Sequence, residues 1–286
     1  MHGPGAAIGA RHGRNQAAMP FFCSYFELLV SPELAVEAWG SPPRMRCASP
    51  PRASATLAAM TGRSNTPASR TAAAALGLVL LFCASVLAAH ALRPEYDGWR
   101  APLSFYLSGP HSAWLRAGYY GLALGAVLLA FDLRRTLAPA ARHTLVPVLL
   151  AGGGFALAVT ATFPGPSPGH SVSDAGAVIH GLSAIASFLL VGVAMLLQSS
   201  PLHRDPYWRP VAMPLLVLAA LGFGGLWLHA LWKTLPRGGS QKAVITLYML
   251  WLGTVAWRLR SAPAIAMEAD DAGTATTHAP PAGVSD

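Results

Sequence analysis

Three histidines carry the most chemical promise in this sequence, because each falls close to the end of a long apolar run. His90 closes "TAAAALGLVLLFCASVLAAHAL", His180 sits in "GAVIHGLSA", and His229 lies near the end of "LGFGGLWLHALW". A neutral imidazole ligates metals and exchanges protons near neutral pH, so three at one level could hold zinc and leave its fourth position open for an activated water. The polar stretches between the runs add Glu95, Asp97, Ser104, Tyr106, His111, His170 and Asp174. Asp174 could orient a ligating histidine or act as the base, with Ser104 and Tyr106 as catalytic partners in the same pocket.

Other chemistries fit the same residues. His180 and His229 could be axial ligands of a single haem. A second haem would need a histidine pair at the opposite face, where His143 and His203 fall in loops instead. The histidines could also simply cap helix ends, or relay protons in a transporter or lipid-binding bundle. The sequence leaves open whether the chain is an enzyme; if it is, metal-assisted hydrolysis of a lipid-like substrate is the expectation.

These residues are positioned by apolar stretches at 71–92, 113–133, 145–163, 175–197, 210–232 and 243–257. A bilayer-spanning helix needs about 20 apolar residues, and the short last stretch can be lengthened by Lys242 and Arg258 reaching to the interfaces. Apart from Arg116 and Asp132 near the ends of the second stretch, none contains an acid or a base. Trp114, Tyr119, Trp208, Trp232 and Trp257 collect at the ends, as an interfacial belt requires. With six antiparallel spans, the connections after the first, third and fifth share one side. At ~1.5 Å rise per residue the three imidazoles then fall within about 8 Å of one membrane boundary.

Composition agrees: 53% hydrophobic and 11% charged residues exclude an ordinary soluble domain. The net charge of +8 comes from arginines and lysines scattered through short connections, which argues against nucleic acid as a partner and for a topology signal. With the N-terminus inside, the inner side holds Arg63, Arg70, Arg134, Arg135, Arg142, Arg204, Arg209, Arg258 and Arg260. The outer side holds Arg93, Arg100, Arg116, Lys233, Arg237 and Lys242. The excess favours cytoplasmic termini in a bacterial inner membrane. Residues 1–70 read as a disordered segment, with Met60 a plausible true start, and 261–286 as a disordered tail. Cys23, Cys47 and Cys83 offer no disulfide framework.

Three glycine motifs read as packing devices. "GLALG" at 121–125 is a small-residue helix face that could serve a homo-oligomer, and "AGGGFALA" at 151–158 lies within a span and lacks the ending of a phosphate loop. "RGGSQK" at 237–242 reads as a glycine turn, with an anion-binding nest of backbone N–H groups as the alternative. Pro214 is positioned to kink the fifth span.

The run "RPEYDGWRAPLSFYLSGPHSAWL", with Pro102, Leu103, Ser104, Tyr106 and Gly109, resembles the six-span membrane proteins catalogued as domain of unknown function 998. So do "FPGPSPG" at 163–169, the opening "GAVIHGLSA", and the last span from "SQKAVITLYMLWL" with Gln241 to "WRLR". The resemblance covers roughly residues 75–260 and implies an all-α bundle of six helices, but no reaction. Members often carry an acid in the "FP-D-PG" position; here "FPGPSPG" has none, which weakens the metal reading. The expectation is therefore an integral membrane bundle, 71–260, with a pocket formed by His90, Ser104, Tyr106, Asp174, His180 and His229 at its outer face.

Overall fold

The computed structural model describes residues 67–262, so Met60 and nearly all of both terminal tails lie outside the described residues. Six α-helices occupy that stretch: α1 (Pro67–Leu92), α2 (Ser112–Thr136), α3 (Val146–Thr162), α4 (Asp174–Ser199), α5 (Arg209–Leu231) and α6 (Arg237–Arg260). Short 3-10 turns at Leu103–Leu107, Pro139–Ala141 and Ser200–Arg204 lie in the connections, and no strand occurs among the described residues. Each helix packs against the next, and α6 closes the ring against α1.

The boundaries follow local chemistry. Ser173 caps α4 by accepting the Gly176 N–H at 3.1 Å. Pro147 and Pro210 stand in the first turns of α3 and α5, where a missing N–H costs nothing. The largest departure from expectation is α6, which begins at Arg237 and not in the 240s. Its glycines, read as a turn, are the first helical turn, because their backbone N–H groups find acceptors elsewhere in the fold: Gly238 donates to the Arg100 carbonyl at 3.1 Å and Gly239 to the Trp99 carbonyl at 2.7 Å. The nest alternative is thereby answered, since those two N–H groups are already engaged.

Four helices, α1, α2, α4 and α5, are long and apolar enough to cross a membrane. α3 has 17 residues, so it is only about 25 Å long. α6 is long but carries Arg237, Lys242, Arg258 and Arg260. It is also well shielded, burying Val244, Tyr248, Trp251, Leu252, Val255 and Leu259, so it meets little lipid and needs a less continuous apolar surface. Around the outside the usual soluble pattern is inverted: Leu81, Val148, Phe155 and Leu182 are exposed, Phe155 by 73%. Large apolar side chains spread over an outer surface in this way belong in hydrocarbon.

Small residues set the helix spacing. The face bearing Gly121 and Gly125 lies against Leu78 of α1, so it is used within the chain. In "AGGG", a Cβ at Gly154 would come within 2.7 Å of the Ala123 carbonyl oxygen on α2, and one at Gly153 within 2.6 Å of the Val191 side chain on α4. Backbone cannot yield as a side chain tip can. We expect Gly154→Ala to destabilise the bundle by about 1–3 kcal/mol in thermal unfolding in detergent. Gly224→Ala, which meets open space, is expected to be neutral or mildly stabilising.

Candidate functional site

The bundle encloses a slot lined from five of its helices and from the connection 93–111. About 770 Å³, including the space at its opening, is free of protein atoms, yet only about 100 Å³ admits the centre of a water molecule. That contrast describes a narrow slot, suited to a slender chain. Of its polar side chains, Ser104, Thr160, His180 and Gln241 lie toward the end where α1 and α3 finish and α4 and α6 begin, while Ser187 and Tyr248 lie deeper. Farther in it is lined by Phe82, Leu122, Ala126, Val191, Met249 and Leu252.

His180 is held by the chain that follows α3. Its Nδ1 lies 2.8 Å from the Phe163 carbonyl oxygen and 3.4 Å from that of Thr160. Both partners can only accept, so Nδ1 carries the proton and the neutral ring leaves Nε2 as a free acceptor. Gly165 lies against this ring, and a Cβ there would come within 2.9 Å of Nε2. Beneath it the buried pair Thr160 and Ser183 share a hydroxyl contact of 2.9 Å. Gln241 is fixed by its Oε1, which accepts the Leu103 N–H at 2.7 Å.

The connection 93–111 forms a cap organised around Arg93, which is 6% exposed. Arg93 donates to the Glu95 carboxylate, to the Tyr96 hydroxyl at 3.0 Å, and to the carbonyls of Ser108 at 2.8 Å and Pro110 at 3.2 Å. Its guanidinium holds the Glu95 carboxyl below its ordinary value. Lys242 fastens the cap to α6 by donating to the carbonyls of Gly98 and, at 3.0 Å, Ala101. A Cβ at Gly238 would reach 2.4 Å from the Ala101 carbonyl oxygen, so only glycine permits this approach.

The sequence-derived residues separate into different settings. Ser104 and His180 line the slot; His90, Tyr106, Asp174 and His229 do not. His90 donates back to the Val86 carbonyl of its own helix at 2.7 Å and stacks on Tyr106, ring centres 4.7 Å apart. His229 is paired with Ser240 of α6 at 2.7 Å. Among the described residues no three of His, Cys, Asp or Glu gather closely enough to hold a metal ion. The three histidines are held by separate partners, His90 by the Val86 carbonyl, His180 by the Phe163 carbonyl and His229 by Ser240, which residue spacing alone does not reveal. Tyr106 is buried with its hydroxyl unpartnered, and burial, with the Glu95 charge, pushes that hydroxyl up to about 12. Asp174 is exposed in the first turn of α4, where an acid favours the helix dipole. Sequence reasoning took Arg93 and Lys242 as topology signals, and nothing local in their types marked them as fasteners of the cap.

A family model described as Protein of unknown function (DUF998) matches residues 55–258, more than half of the chain. The chain belongs to this family. No curated protein and no solved structure matches this DUF998 chain. Family membership agrees with the resemblance carried by the cap, the "FPGPSPG" segment and the start of α6; of these the cap gives Ser104 and α6 gives Gln241 to the slot, and Gly165 lies against His180.

Three outcomes follow. Gly238→Ala should raise amide hydrogen exchange across 93–111 at least about tenfold, with α3 and α4 unchanged. Because the Glu95 carboxyl is depressed, its contribution to the cap is present above its ordinary value of 4.5 and is lost as pH falls through the folded value, so protection there, taken relative to the intrinsic exchange rate at each pH, should fall in acid. Elemental analysis and visible absorbance of purified protein should give zinc and haem far below one per chain, since the histidines do not converge; a full equivalent lost in His180→Ala would overturn this.

Proposed function

We propose that this protein is a six-span bundle, with both termini cytoplasmic in a bacterial inner membrane, that binds a slender amphipathic, lipid-like molecule in its central slot. The observation that carries this is the distribution of the lining: hydrogen-bonding groups of Ser104, Thr160, His180 and Gln241 at one end and, beyond them, mostly apolar side chains, interrupted by Ser187 and by Tyr248, whose hydroxyl is already given to the Phe188 carbonyl. Binding pockets commonly combine a mostly apolar wall with a few placed polar groups. The bare Nε2 of His180 accepts a proton donor on the ligand's polar group, and the chain runs inward past Ala126 and Val191. The excess of arginine at the opposite end of the bundle supports the orientation.

One observation favours a second reading. A histidine with Nδ1–H fixed on a carbonyl and Nε2 free is equipped to take a proton from a water or hydroxyl, so hydrolysis of an ester-bearing lipid with His180 as base is the enzymatic alternative.

Native mass spectrometry of protein extracted in mild detergent tests the binding. The wild type is expected to carry one lipid-like molecule per chain, and Ala126→Phe, which fills the slot, should lose it. His180→Ala should weaken retention about tenfold, the scale of one buried hydrogen bond. Wild-type protein that remains empty after exposure to a total lipid extract would sink the proposal, and fatty-acid release that His180→Ala abolishes would favour hydrolysis.

A further inference from the structure

At the end of the bundle away from the cap, a concavity of about 810 Å³ lies at the α2–α3 connection, lined by Arg134, Arg135, Arg142, His143 and Thr144 among others. We propose that it is a binding site for the phosphate of an anionic phospholipid. This rests on the bundle crossing a bilayer but not on any ligand in the central slot.

Most of the donor capacity of this cluster is unspent. Arg142 is anchored through Nε to the Leu137 carbonyl at 2.6 Å, which leaves the two Nη groups of its planar fork available for phosphate oxygens. His143 accepts the Leu145 N–H on Nδ1 at 3.3 Å, so in the neutral ring its proton is on Nε2, where it can be donated. Arg134 and Arg135 are exposed at the end of α2. The only ion pairs among the described residues, Arg93 with Glu95 and Arg100 with Asp97, are in the cap; no ion pair falls in this cluster, although the Asp132 carboxylate acts on Arg135 through its charge. Of the described acids on this side, Asp132 and Asp205 are both buried. Asp132 accepts from Thr71 at 2.6 Å, while Asp205 accepts from the Ala138 and Tyr207 backbones.

The occupant is a lipid and not a free anion because the basic wall adjoins a lipid-facing one. Phe131 lines the same concavity and is 56% exposed, while Leu145 and Val148 present apolar surface just beyond it. A phospholipid seated with its phosphate among the arginines lays its acyl chains along that surface, as basic pockets at helix ends do with acidic headgroups.

The full chain, reconstituted in nanodiscs of phosphatidylcholine with phosphatidylglycerol and then released for native mass spectrometry, gives the test. The wild type should retain phosphatidylglycerol over phosphatidylcholine roughly tenfold. Both Arg134→Gln/Arg142→Gln and Arg134→Gln/Arg135→Gln should erase that preference. The second pair leaves the Arg142 anchor intact and guards against a folding defect in the first. Arg204→Gln/Arg209→Gln removes the same charge at the same end and should retain the preference. Equal retention of the two lipids by wild type, equal loss in the control pair, or displacement of phosphatidylglycerol by millimolar inorganic phosphate would each overturn the assignment.

Discussion

Backbone polar groups inside an apolar bundle have to be paired, and the place where this requirement decides the structure is the first turn of α6. A helix that begins beneath another segment leaves orphan N–H groups that water cannot reach. Here the carbonyls of Trp99 and Arg100 take those of Gly239 and Gly238, and the absence of side chains at the two glycines permits the approach. The same contact fixes the cap, sets the depth of Gln241, and fastens α6 where it can also close against α1. Lys242 and Arg93 then add charge-assisted bonds to carbonyls, stronger than neutral ones, on either side of it.

With the ring closed, the helices do not fill its centre. Glycines on α3 bring that helix tightly against α2 and α4, while Tyr248 of α6 reaches across and donates to the Phe188 carbonyl at 3.0 Å. What is left between them is a slot whose polar groups are concentrated at the capped end. Three of the polar residues there are held by a second group, His180 by the Phe163 carbonyl, Thr160 by Ser183 and Gln241 by the Leu103 N–H, so much of the site is organised before any ligand arrives.

Much of this was legible in the residues. Apolar runs located five of the six helices to within a few residues, and the resemblance carried by the cap and the segment after α3 led to the right family. The site was legible only in part. His180 and Ser104, which line the slot, drew notice in the sequence because histidine and serine stand out against alanine and leucine. His90 and His229 were grouped with them because rise along a helix can be counted from sequence, while rotation about its axis is set by packing between distant elements. The same limit hid the start of α6: "RGGSQ" has turn composition, and the acceptors that make it helical come from residues nearly 140 positions earlier.

The shortness of α3 has a consequence beyond the bundle. On the proposed six-span reading, a helix of about 25 Å beside neighbours longer by several residues does not match a hydrocarbon layer of about 30 Å. Such hydrophobic mismatch is met by thinning the surrounding leaflets or by drawing flanking side chains toward the surface. The connections on both sides of α3 would then ride below the level of the other helix ends, and the protein would carry a dimple of thinned membrane along one flank, a local deformation through which headgroups and water sit nearer the bilayer midplane than elsewhere.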